Sequence, residues 1–155
     1  MTAALHLAKP EDLDRVSAMV AAMHAETGIS STEADRRDAL VPLLEGSPHG
    51  AVYLIGPARA PVGYIVICFG WSVEFGGLDG FVDELYIRKA VRGRGMATEV
   101  LDTLPKALAE AGLRALHLEV DREDQAAQRL YASSKFKARE RYVLMSRDLT
   151  ADPEG

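Results

Sequence analysis

The sequence predicts a single α/β domain, a mixed sheet with helices on both faces. Three observations carry this. Strand-like and helix-like segments follow one another in the order βαα-βββ-α-β-α-ββ. Hydrophobic content of 48% and charged content of 26% over 155 residues suit one ordinary globular core. A strand-like run, Gly80–Ile87, leads through the glycine-rich loop Arg92-Gly93-Arg94-Gly95 straight into a helix-like stretch.

In chain order, Ala3 to Leu7 is a short strand candidate. Pro10 at a first helical position, with Glu11 and Asp12 in the first turn, begins a helix. Its apolar stripe is Leu13, Val16, Val20 and Met23, and Gly28 is its stop. Ser30-x-x-Glu33 reads as a capping box opening a second helix through Leu40, Leu43 and Leu44, with Pro42 arguing for a break or a late start. Gly50–Ile55 and Val62–Trp71 are strands around the Pro57–Pro61 turn, and Gly76–Gly80 is a turn into a Phe81–Ile87 strand. The helix after the glycine-rich loop runs toward Glu110, with a kink or early end expected near Leu104 because Pro105 follows. Arg114–Val120 is a strand, Glu123–Ser133 a helix, and two short strands close the chain. The domain is expected over residues 1–150, with a short polar tail at 151–155.

The glycine-rich loop has the makings of an anion cradle. A helix N-terminus offers free N–H groups and a partial positive charge, which suit a phosphate. Gly93 and Gly95 allow close backbone approach and positive φ, and Arg92 and Arg94 add charge-assisted hydrogen bonds. The Walker string is absent. The dinucleotide form fails because Thr98 stands where its third glycine belongs, although Glu119 lies near the distance of a ribose-binding acid.

A third form fits. Arg92-x-x-Gly95-x-Ala97 resembles the Gln/Arg-x-x-Gly-x-Gly/Ala signature of the GNAT superfamily of N-acetyltransferases. Leu118-Glu119-Val120, then Asp124-x-x-Ala127-x-x-Leu130-Tyr131 and Lys135-Phe136, resembles the family's second cofactor segment, and Tyr142–Leu149 looks like its terminal strand. The resemblance is specific from about Val62 to Leu149 and one of element order before that. It implies a GNAT-like, mostly antiparallel seven-stranded sheet, and acetyl-coenzyme A as co-substrate. The positions matching the cofactor site are Leu85, Tyr86 and Ile87, the loop Arg92, Gly93, Arg94, Gly95, Met96, Ala97 and Thr98, and Asp124 and Tyr131.

In this family the pantetheine pairs with the strand before the loop, so a backbone N–H of Leu85–Ile87 would polarise the thioester carbonyl. Tyr131 falls where the family's tyrosine protonates the leaving thiolate; packing on the core is its ordinary alternative. Two residues depart from the family pattern. Asp124 replaces an asparagine and loses the amide donor, and Lys135 replaces a glycine where a left-handed residue is often needed.

The base must come from the acceptor side. Strand alternation puts Phe81, Asp83 and Leu85 on one face and Val82, Glu84 and Tyr86 on the other. Asp83 is the first candidate, Glu84 its rival and Glu74 a third, each weighed against an ordinary solvated carboxylate. Trp71, Glu74, Phe75 and Asp83 are candidates to line the acceptor pocket. Glu74, Asp79, Asp83 and Glu84, with no Lys or Arg between Trp71 and Ile87, would favour a cationic amine.

The expected function is acetyl transfer to a primary amine on a small molecule. The alternatives are an acyl-coenzyme A-binding sensor or partner module without turnover, and an acetyltransferase of protein N-termini or lysines. A net charge of −5 offers nucleic acid and anionic membrane no attractive field. His6, His24, His49 and His117 lack metal-ligand spacing, so no metal is expected. Cys68 reads as a buried strand thiol, which with the absence of a long apolar span suggests the cytoplasm. The edge strands and the Trp71–Phe75 stretch could serve a homodimer.

Overall fold

A computed structural model describes residues 4–150, so Ala3 of the first strand candidate and the 151–155 tail lie outside the described residues. The elements are β1 (Leu5–Leu7), α1 (Leu13–Thr27), α2 (Glu33–Leu44), β2 (Gly50–Ile55), β3 (Gly63–Ser72), β4 (Gly77–Ile87), α3 (Met96–Glu110), β5 (Ala115–Leu118) and α4 (Gln125–Ser133). Single 3-10 turns, Pro10–Asp12 and Lys89–Val91, precede α1 and the glycine-rich loop.

Among the described residues the sheet has five strands, not seven, in the order β1-β2-β3-β4-β5. The first four pair antiparallel, as short turns demand, and β5 joins parallel to β4 after the α3 crossover. Among the described residues the two expected C-terminal strands do not form: Tyr142–Leu149 belongs to no ladder there, and its apolar side chains stand in solvent.

β3 runs through the middle and is buried on both faces. Tyr64 and Val66 pack with Val16, Val20, Leu40 and Leu44 of α1 and α2, while Ile65 and Ile67 pack with Val100, Leu104 and Leu108 of α3. Helices therefore cover both faces, and this double burial explains why β3 reads as a near-continuous apolar run.

Two prolines sit inside intact helices. α3 continues past Pro105 to Glu110, and α2 contains Pro42. Each costs a backbone hydrogen bond, but Leu104 and Leu108 on either side of Pro105, and Leu40 and Leu44 around Pro42, are buried, so tertiary packing outweighs the local penalty. The cap of α2 is also displaced from expectation: the Thr32 hydroxyl accepts from the Asp35 N–H at 3.0 Å, and the Asp35 carboxylate accepts from the Thr32 N–H at 3.2 Å. Gly28 ends α1 in the left-handed conformation, φ 74°.

β4 carries the feature on which the site depends. Val66 pairs with Glu84 and Ile67 with Val82, so Asp83 is an extra residue bulged out of the ladder. The bulge breaks the simple alternation: Val82 packs toward α3, whereas Tyr86 packs on the α1–α2 side, which Glu84 also faces. β5 stops pairing at Val82–Leu118, which leaves Asp83–Ile87 without a strand on that side.

Candidate active site

The loop after β4 is shaped as an anion cradle. Gly93 and Gly95 take φ of 80° and 79°, where a Cβ would be strained, and the space a Cβ would enter is open. Among the described residues no backbone carbonyl accepts from the amides of Gly93, Arg94, Gly95, Met96, Ala97 or Thr98. These donors lie at and just before the N-terminus of α3, where the helix field adds positive character. Arg92 is held beside them: its Nε donates to the Ile87 carbonyl at 2.7 Å, and its guanidinium lies 5.6 Å from the Tyr86 ring centre. Its Nη2 meets Glu26 of α1 at 2.6 Å, a partner that local sequence could not name.

A second feature adjoins the first. The open edge of β4 at Leu85, Tyr86 and Ile87 leads from the cradle back to the bulge at Asp83. There a pocket of about 150 Å³ opens between β4, α1 and α2, lined among others by His24, Ser31, Asp35, Arg36, Asp83 and Glu84.

The pocket is wired by a chain of hydrogen bonds. Glu84 Oε1 accepts from the Tyr64 hydroxyl at 2.8 Å, and Oε2 accepts from His24 Nε2 at 2.7 Å. With Nε2 carrying the proton, His24 Nδ1 accepts from the Ser31 hydroxyl at 2.8 Å. Ser31 in turn takes Arg36 Nη1 on its carbonyl and its Oγ, at 2.7 and 3.1 Å. Tyr64 is fully buried, and burial, then the Glu84 charge, pushes its hydroxyl far above the usual tyrosine range, so it stays a donor.

Asp83 differs from its neighbour. No donor among the described residues bonds its carboxylate. Asp83 is an exposed residue, and the neighbouring protein atoms that desolvate its carboxyl, then the negative charges of Glu84 and Glu119, raise its affinity for a proton, with His24 opposing.

Tyr131 lies half-buried in α4, its ring edge-on to Phe136 at 6.1 Å. Burial, then Asp124, pushes its hydroxyl up, which keeps the proton on the oxygen. Asp124 caps α4 by accepting from the Ala127 N–H at 3.0 Å, a task for which a carboxylate serves as well as an amide. Lys135 occupies the left-handed region with φ 72°, so the backbone keeps the conformation expected of glycine.

The remaining candidates lie elsewhere. Glu74 is ion-paired with Arg139 at 3.0 Å, and Phe75 stacks between Arg139 and His117. Asp79 meets His117 at 3.4 Å, and Trp71 projects into solvent. None of the four lines the pocket.

The profile of the Acetyltransferase (GNAT) family matches residues 20–136, three quarters of the chain. The chain belongs to the GNAT acetyltransferase family. No curated protein matches it. Among solved structures, an integron cassette protein from the mobile metagenome of Cole Harbour Salt Marsh is 28% identical, with 96% of this chain and 91% of that one covered and a TM-score of 0.82. The ribosomal-protein-alanine N-acetyltransferase of Brucella melitensis biovar Abortus 2308 shares 18% identity over 96% and 100% of the two chains, TM-score 0.75. An aminoglycoside acetyltransferase from an uncultured soil metagenomic sample shares 15% over 96% and 97%, TM-score 0.79. These last two likenesses are of fold.

The family uses acetyl-coenzyme A, and the residues of this GNAT chain fit it: open Cβ positions, unengaged amides and a free strand edge lie in sequence along β4 and its loop. The sequence reading missed His24, Ser31, Asp35, Arg36, Tyr64 and Glu26. His24 left a signal, because it follows Val16 and Val20 at four-residue spacing and so continues the inward stripe of α1. The others left none, since α1, α2, β3 and β4 meet only in the folded chain.

Among the described residues no helix is long and apolar enough to cross a membrane.

Proposed function

We propose that this GNAT protein is an N-acetyltransferase that moves the acetyl group of acetyl-coenzyme A directly to a primary amine of a small cationic molecule. The observation that carries this reading is the convergence of Asp35, Asp83 and Glu84 on one pocket beside the open edge of β4. Three carboxylates face one guanidinium there, so the field favours an ammonium group. A volume of about 150 Å³ holds roughly five water-sized groups, enough for the amine-bearing end of an acceptor.

Acetyl-coenzyme A supplies an activated acyl thioester and a thiol as leaving group. The loop amides with Arg92 and Arg94 hold its pyrophosphate. A backbone N–H in Leu85–Ile87 polarises the thioester carbonyl. Glu84, oriented by His24 and Tyr64, binds the acceptor cation. Asp83 takes the ammonium proton, because its carboxylate is unengaged and its proton affinity is raised. Tyr131 keeps a hydroxyl proton for the departing thiolate.

A cofactor-binding module without turnover would need neither Tyr131 nor the carboxylates. Free-thiol release is followed with acetyl-coenzyme A and a panel spanning aminoglycosides, polyamines, amino acids and peptides. Turnover with cationic small amines is the expected result. Tight coenzyme binding with no release from any amine would favour the binding module, and turnover confined to peptides would move the acceptor to protein N-termini.

A further inference from the structure

The pocket between β4, α1 and α2 has two unlike sides. On its polar side almost every group is already taken by a neighbour. Glu84 accepts from the Tyr64 hydroxyl with one oxygen and from His24 Nε2 with the other, at 2.8 and 2.7 Å. His24 Nδ1 and Ser31 Oγ share a bond of 2.8 Å, and Arg36 Nη1 donates to both the carbonyl and the Oγ of Ser31. Arg36 Nε is buried away from solvent. Asp35 uses a carboxylate oxygen in the cap of α2 and faces the charge of the adjacent Arg36. Of the polar side chains in the lining, Asp83 alone receives no hydrogen bond among the described residues.

The other side is apolar. Val20 of α1, Ala39, Leu40 and Leu43 of α2, and Val66 of β3 form it. Val20, Leu40 and Val66 are buried in the core, whose close packing fixes the wall. A ligand entering here meets one unengaged carboxylate and an apolar surface. That is the ordinary make-up of a small-molecule site, an apolar lining with very few polar groups to orient the ligand.

We propose that the acceptor is a compact primary monoamine, its ammonium at Asp83 and its apolar body, aliphatic or aromatic, along the wall between α1 and α2. The inference rests on the pocket being the acceptor site and narrows the acceptor from small cations in general to those with one charge and an apolar remainder. A hydroxyl or second ammonium carried into the pocket leaves water for groups already bonded to one another, so its desolvation is not compensated. A second ammonium also approaches the Arg36 guanidinium, a like charge. The volume of about 150 Å³ suits a body of roughly five carbon-sized groups.

The test is a series matched in length: pentylamine, cadaverine, aminopentanol and aminopentanoate, with ethylamine as the short member. Thiol release from acetyl-coenzyme A gives kcat/KM, and calorimetry on the full chain with coenzyme A gives affinity without turnover. Pentylamine is expected to exceed each terminally substituted relative at least tenfold in both. If the diamine, alcohol or acid equals or exceeds pentylamine, the inference falls and the transferase reading stands. Selective pentylamine binding with no thiol release from any amine upholds the inference and removes the transferase reading. Absence of pentylamine binding overturns the inference whatever other acceptors are turned over. Ala39→Leu narrows the apolar wall at an exposed position of α2 and keeps a good helix former there, so the domain stays folded. It is expected to lower the ratio of pentylamine to ethylamine, in kcat/KM and in affinity, at least tenfold, and an unchanged ratio overturns the placement of the body.

Discussion

At the scale of single residues, Asp83 and Glu84 are neighbours with different surroundings, and the bulge separates them. Glu84 has both oxygens engaged, by Tyr64 and His24, while Asp83 has neither. The raised proton affinity of Asp83 has a defined consequence for stability. A carboxyl whose folded pKa lies above its unfolded value contributes stability below the ordinary carboxylate range and loses it as pH climbs through the raised value. Asp83→Asn removes that loss. Denaturant titrations should find the variant more stable than the parent at pH 7, with the advantage shrinking toward pH 3; the reverse trend would contradict the assignment. The same variant should lose most of its kcat at neutral pH. Tyr131 is tested apart from binding: Tyr131→Phe should lower kcat on the order of 10²-fold while coenzyme affinity by calorimetry stays nearly constant. Because its hydroxyl is pushed up, Tyr131 should add no descending limb to the kcat profile below pH 10.

At the scale of elements, the loop before α3 and the proline inside it make separate predictions. Gly95 stands at φ 79° in open space, so Gly95→Val strains the backbone by about 1 kcal/mol and fills the approach to the amides. Calorimetry should show coenzyme binding at least tenfold weaker with a small loss in Tm; unchanged affinity would remove the cradle. Pro105 leaves the Leu101 carbonyl of α3 without its helical donor. Pro105→Ala should raise stability by about 1 kcal/mol or more in thermal melts, with kcat unaffected. The helix ends also show what local sequence can and cannot reveal. Gly28 and the glycines of the loop were legible because positive φ is a backbone requirement that only a few residue types meet. The extent of α3 was not, because burial of Leu104 and Leu108 against the sheet outweighs the proline.

At the scale of the whole molecule, the net charge of −5 and the acidic pocket would act together on the cationic acceptor proposed above. The KM of a polycationic amine should rise between low and high salt, while an acidic amino acid should be a poor substrate throughout. A salt-independent KM would remove the electrostatic part of acceptor selection. The sequence by itself determined the family, the glycine-rich turn in which Gly93 and Gly95 take positive φ, and the strand through Leu85–Ile87 before it. These lie close together along the chain, and their chemistry depends on backbone conformation and short spacing. The lining of the pocket beside β4 was decided by the tertiary structure. Glu74 and Asp79, near Asp83 in sequence, are drawn off to Arg139 and His117, while His24, Ser31, Asp35 and Arg36 arrive from α1 and α2. The count of strands was decided there too, because Tyr142–Leu149 has the composition of a strand but a ladder needs a neighbour, and among the described residues none pairs with it. Local propensity acts over a few residues, whereas pairing and pocket lining join residues sixty apart, such as His24 and Glu84, which only the packed fold brings within hydrogen-bond reach.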